Sequence, residues 1–160
     1  MYTGKLKTLI GLNGDLDDLR PIRGAGRNVF QVMSDFGVQM DDGTQIWVSP
    51  KTFTDGGSIP TCIQWLISPW DDGCAEAFVV HDENYKTGQV SRERADKYLL
   101  EMLTVQEISA WKRNAIYYAV KWFGGGPWDE CRKRAILGGF KGGFIPAYVP
   151  KAPKFKKRLK

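Results

Sequence analysis

The 160-residue sequence predicts an α+β fold, on three observations. Apolar residues alternate with period two up to about residue 53, helical spacing takes over from residue 60, and no shift in composition divides the chain. The expected architecture is an N-terminal antiparallel β-meander, then a bundle of helices, then an extended C-terminal arm. Residues 1–145 are expected to form a single domain and residues 146–160 a basic Pro/Lys-rich tail.

The strands come first. LKTLIGL is a short apolar run. In NVFQVMSDFGVQM the alternation runs through Val29, Gln31 and Met33, and Gly37 is expected to break it. Asp41-Asp42-Gly43 is hairpin-turn chemistry, and in the following TQIWVS Ile46 and Val48 alternate with polar neighbours. GDLDDLRPIRGAGRN, between the first two runs, reads as an irregular loop.

Pro60 can open a short helix over TCIQWLI, which Pro69 stops. A second helix is expected from about residue 72 to 85, with Asp71 or Asp72 near its cap and Gly88 beyond its end. Ser91 is a good N-cap for a third, and Glu93 suits its first turn. A fourth, EISAWKRNAIYYAVKWF, aligns Ile108, Trp111, Ala115, Tyr118 and Trp122 on one stripe, expected to face the core. It ends in Gly124-Gly125-Gly126, read as a cap and linker. PWDECRKRAIL restarts helix with Pro127 at or near its first turn. The Gly- and Pro-rich remainder is too broken for regular helix and is expected to cross the body or dock elsewhere.

Composition narrows the class. A hydrophobic share of 42% and a charged share of 26% fit a globular protein and argue against a disordered one. The net charge of +5 is concentrated at one end: Lys151, Lys154, Lys156, Lys157, Arg158 and Lys160, with no acid among them. Without those six the body carries −1, so specific DNA recognition is not expected. The tail itself is expected to be solvated or to contact an acidic partner. Cys62, Cys74 and Cys131 cannot all pair and lack zinc-ligand spacing, which suits buried thiols in a reducing compartment. No signal-peptide core is evident, and no run reaches the ~18 apolar residues of a transmembrane segment.

The chemistry-bearing residues gather on the second and third helices. Cys74, Ala77, Phe78, His81 and Tyr85 follow helical spacing, so the chain's one histidine lies on an apolar stripe with Tyr85 a turn later. Asp82 is about 100° further round the helix. On the third helix Asp96, Leu99, Leu100 and Leu103 share the core side, with Lys97, Glu101 and Thr104 on the polar face. Antiparallel packing about KTGQV would bring Asp96 to His81 and Tyr85. An imidazole held by a carboxylate has a fixed tautomer and raised basicity, as a general base for water requires. Asp82 would be left to bind a cation such as calcium, with carbonyls from the loop Asp55-Gly56-Gly57-Ser58. The alternative is a satisfied buried network that sets helix register. GxGxxG, Walker, nucleophile-elbow and HExxH patterns are absent, and Ser58 has no second histidine to serve it.

TDGGSIP, HDENY and SRERAD, in that order, resemble a phage-borne family of small uncharacterised proteins with the pattern TDGxSIP…HDxxY…SRxxAD, over roughly residues 28 to 125. The arrangement is similar, more distantly, to small bacterial and viral phospholipase A2. That resemblance implies His81 as the base, Asp96 orienting it, Tyr85 bonded to Asp96, and Asp82 as a calcium ligand. The backbone at Asp55, Gly56 and Gly57 would complete the calcium shell. Position 80 is Val where many secreted phospholipases have Cys. Two functions follow as expectations. One is a calcium-dependent phospholipase-like hydrolase acting on phospholipid at the host envelope. The other is a non-enzymatic tail or head–tail protein that assembles with other phage structural proteins. Either would be made in the host cytoplasm, and the second would reside in the virion.

Overall fold

The computed structural model describes residues 7–10, 19–21, 30–33, 36–50, 52–54 and 74–150. Within them lie the strands β1 (Lys7–Ile10), β2 (Leu19–Pro21), β3 (Phe30–Val32), β4 (Phe36–Gln39), β5 (Gln45–Val48) and β6 (Phe53–Thr54). They are followed by the helices α1 (Ala75–Thr87), α2 (Arg92–Val105), α3 (Ala110–Phe123) and α4 (Gly125–Leu137), and a 3-10 turn at Lys141–Gly143. The α+β outline is as expected. The helix foreseen over TCIQWLI, the caps at Asp71 or Asp72, Cys62 and the basic tail from Lys151 lie outside the described residues.

The strands pair antiparallel in two three-stranded sheets, ordered β1-β4-β5 and β2-β3-β6. The β4–β5 hairpin pairs Phe36 with Val48 and Val38 with Ile46, and all four side chains are fully buried. Its turn uses Asp41-Asp42-Gly43 as foreseen: Gly43 has φ 84°, and its N–H donates to the Met40 carbonyl at 2.9 Å. Three local expectations are corrected. NVFQVMSDFGVQM splits into β3 and β4, which join different sheets. Gly37 does not break β4; the Trp47 ring lies flat against it, where a Cβ would overlap the indole. GDLDDLRPIRGAGRN is not all loop, because Leu19–Pro21 forms an edge strand. Three residues ending in proline are too few to show alternation.

Helix α1 is the centre of the molecule. Ala77, Phe78, Val79 and Val80 are all buried, which closes α1 off on every side. The core joins its residues to Phe36, Val38, Ile46 and Val48 of the sheet and to Leu99, Met102 and Leu103 of α2. Gly88 ends α1 in the left-handed region (φ 70°), its N–H bonded to the Asn84 carbonyl at 2.8 Å. Ser91 caps α2 by accepting from the Arg94 N–H, with Glu93 in the first turn. Four residues link the helices, so α1 and α2 run antiparallel, and the Gln106-to-Glu76 hydrogen bond at 3.5 Å closes the far end.

Glu101 is a further correction. It is only 7% exposed rather than on a polar face, because the hairpin tip folds over that side of α2. Its Oε1 accepts the Asp41 N–H at 2.7 Å. Asp42 accepts from Tyr98 Oη at 2.6 Å and from the Arg94 guanidinium. Burial opposes ionisation of Asp42, but the Arg94, Tyr98 and Thr44 hydrogen bonds outweigh it and hold the carboxyl well below the usual range.

The aromatic stripe of the fourth helix is also corrected. α3 buries Ile116, Ala119 and Val120, while Trp111, Tyr118 and Trp122 face solvent. This helix is apolar on two sides, and the small-residue side fits closest against α2. Gly124 caps α3 as expected, in the right-handed region (φ −70°) with its N–H donating to the Val120 carbonyl at 2.7 Å, but Gly125 and Gly126 are no linker, because α4 starts at Gly125.

The chain beyond α4 crosses the body, as expected. Ile145 N–H donates to the Thr87 carbonyl at 2.9 Å. Arg132 of α4 donates to the Lys86 carbonyl at 2.7 Å and to that of Tyr85, satisfying carbonyls at the end of α1. A Cβ on Gly88 would overlap that guanidinium. Gly88→Ala is therefore expected to cost about 2 kcal/mol or more, from the left-handed backbone and the displaced arginine together. Urea unfolding followed by circular dichroism measures it.

Candidate functional site

The antiparallel pairing of α1 and α2 brings together the three residues singled out from sequence. His81 Nε2 lies 3.0 Å from Asp96 Oδ1, and Tyr85 Oη donates to the same oxygen at 2.7 Å. His81 is 5% exposed, Tyr85 6% and Asp96 2%. A carboxylate offers acceptors only, so Nε2 donates to Asp96, and in a neutral ring Nδ1 would then keep the lone pair. Burial and the Asp96 carboxylate push the Tyr85 phenol far up, so it remains a donor at neutral pH.

Three supporting residues were not foreseen. Arg92 Nη1 lies 3.7 Å from Asp96 Oδ2 and donates to the Lys121 carbonyl at 3.1 Å. It therefore ties the carboxylate to the end of α3. Its i,i+4 spacing to Asp96 within SRERAD was a readable signal. Trp128 of α4 meets the Tyr85 ring edge-on at 5.3 Å, and the His81 and Tyr85 rings stack tilted at 4.2 Å. Gly124 sits so close to Tyr85 Oη that a Cβ there would collide with it. That contact accounts for a glycine between two helices, and only the assembled fold reveals it.

Asp82 is half-buried and engaged with its surroundings. Asp55, Gly56 and Gly57, the other residues assigned to calcium, lie outside the described residues. Among the described residues no three His, Cys, Asp or Glu side chains converge to hold a metal. Among the described residues Asp82 is a single carboxylate next to His81 on α1 and makes no metal shell by itself.

The two residues between Asp82 and Tyr85 are unexpectedly deep. Asn84 is fully buried and Glu83 is 3% exposed. Among the described residues both polar atoms of the Asn84 amide and Glu83 Oε2 lack hydrogen bonds. Lys86 Nζ stands 3.9 Å from that Glu83 oxygen.

Residues 30–120 match the model of a family described as a protein of unknown function, DUF1353. The chain belongs to this family. The DUF1353 match runs from β3 through most of α3 and takes in His81, Asp82, Tyr85 and Asp96. The chain is also similar to uncharacterized protein y4iH of Sinorhizobium fredii (strain NBRC 101917 / NGR234), 29% identical over 92 residues. That alignment covers 57% of this chain and 38% of y4iH, so the chain spans well under half of that relative's length. No solved structure matches this DUF1353 protein.

Two outcomes follow from this geometry. Tyr85→Phe removes one donor to a buried carboxylate, and a loss of about 1–3 kcal/mol is expected in denaturant unfolding. Burial raises Glu83 above its ordinary 4.5, against smaller opposing effects of Lys86 and Thr52. Its stabilising contribution is therefore complete below pH 4.5 and is lost as pH rises through the folded value. Glu83→Gln should accordingly raise the melting temperature at about pH 7 and leave it unchanged at about pH 4, as differential scanning fluorimetry can read.

Proposed function

We propose that this is a phage-encoded hydrolase of lipid esters, with His81 and Asp96 forming a phospholipase A2-like dyad at the host envelope. The observation that carries the reading is the Nε2-to-Asp96 hydrogen bond, reinforced by Tyr85 on the same oxygen. His81 Nδ1 takes a proton from water as the water oxygen attacks the ester carbonyl. Asp96 stabilises the imidazolium so formed, and the same nitrogen returns the proton to the departing alkoxide. Tyr85 and Arg92 hold Asp96 in place through these steps. Calcium at Asp82 and the Asp55–Gly57 backbone would supply positive charge for the developing oxyanion. Nearby Glu83 and Asn84 are assigned no step.

One observation favours a second reading. His81 and Asp96 are both almost wholly buried and satisfy one another, as in a network whose work is to fix helix register. In that reading the protein is a non-enzymatic tail or head–tail component, resident in the virion and packed against other phage structural proteins.

Ester release from mixed phospholipid vesicles, with calcium or with chelator, separates the two. The hydrolase reading expects calcium-dependent release that falls about 10²-fold or more in His81→Ala and in Asp96→Asn, consistent with loss of a general base. Circular dichroism of each variant shows that the fold persists. Release unchanged in His81→Ala would rule out the mechanism. Fixed stoichiometry in purified virions together with no release would establish the second reading.

A further inference from the structure

Helix α3 carries two of the chain's six tryptophans and a tyrosine on the outside: Trp111 is 56% exposed, Tyr118 45% and Trp122 70%. These positions fall seven and four residues apart, so they share one face along roughly 16 Å of helix. The rings form a continuous band at its C-terminal end, where Tyr118 lies 5.4 Å from Trp122 and Tyr117 lies 5.4 Å from Tyr118. Cations are laid over them. Lys121 Nζ stands 5.8 Å from the Tyr117 ring and 5.9 Å from that of Tyr118, and Lys112 Nζ 5.8 Å from Trp111. The helix AWKRNAIYYAVKWF also holds Arg113 and has no acidic residue. A body that carries −1 without the tail thus concentrates aromatic and positive groups on one helix.

We infer that this face of α3 docks on the surface of an anionic phospholipid bilayer. Tryptophan and tyrosine place an apolar ring among acyl chains and a polar edge among headgroups, which accounts for large rings left uncovered by the core. Lysines whose stems lie along those rings put their ammonium groups at headgroup level, where anionic lipid complements them. Single-stranded nucleic acid also pairs bases with aromatic and basic side chains, but it is held in grooves. The α3 face is the outer surface of one helix, which suits a planar partner. No described helix is long and apolar enough to cross a membrane. The docking face is also joined to the buried network. Lys121 offers its carbonyl to Arg92, which pairs with Asp96, and Gly124 abuts Tyr85.

The test is cosedimentation of the full-length protein with vesicles of phosphatidylcholine alone or mixed with phosphatidylglycerol, in chelator. Binding in chelator does not depend on hydrolysis, so failure of the hydrolase reading leaves this one standing. Binding to the mixed vesicles is expected, with a blue shift of tryptophan emission. The double variant Trp111→Ala/Trp122→Ala should bind about 10-fold or more weakly. Lys112→Glu/Lys121→Glu should remove the preference for anionic lipid. Met33→Ser, an exposed apolar site just beyond β3, should bind like the parent. No binding, or binding that both double variants retain because the basic tail alone supplies it, would overturn the inference. So would tryptophan-dependent binding to a single-stranded oligonucleotide without binding to vesicles.

Discussion

A carboxylate at 2% exposure is the constraint on which the rest of this structure depends. Asp96 cannot remain ionised in the core without donors, and it draws them from both helices of the pair. His81 and Tyr85 reach it from α1, and Arg92 reaches it from its own helix α2. Those contacts set the rotation of α1 against α2. They also fix which imidazole nitrogen carries hydrogen, which makes one packing decision a chemical one as well.

The surrounding elements are fitted to that decision. Gly124 lets the junction of α3 and α4 come down on the Tyr85 hydroxyl, and Trp128 closes over the ring. Arg132 and the arm at Ile145 secure the end of α1 just beyond Tyr85. On the opposite side of α2, the β4–β5 hairpin is anchored through Asp41 and Asp42 to Glu101, Arg94 and Tyr98. Beside these contacts the polar side chains of Glu83 and Asn84 are buried with atoms that lack hydrogen bonds among the described residues. Such groups are costly for stability, and they gather around the His81 helix.

The helix pair was legible in the sequence because its signals agreed with one another. Ser91 and Gly88 punctuate the helices, the His81–Tyr85 spacing is one helical turn, and Asp96 lies on the leucine side of α2. The face of α3 was not legible, since Ile116, Ala119 and Val120 form as regular a stripe as Trp111, Tyr118 and Trp122. Periodicity finds an apolar face but does not say which of two a neighbour will cover. The burial of Glu101 and the contact of Gly124 with Tyr85 were missed for a related reason. What lies over them comes from residues 60 and 39 positions away in the chain, at Asp41 and Tyr85. The strands fared unevenly: the hairpin at Gly43 announced itself through turn chemistry, while Leu19–Pro21 is too short to carry a period.

Because the chain holds a single histidine, the state of the dyad can be observed directly. Long-range nitrogen–proton correlation NMR of uniformly nitrogen-15-labelled protein distinguishes the two ring nitrogens. With the imidazole neutral, the account predicts hydrogen on Nε2 and an open lone pair on Nδ1, and it predicts that Asp96→Asn disturbs this preference. A neutral ring with its hydrogen on Nδ1 would contradict it, since Asp96 would not then be holding His81 and no base would be positioned for water.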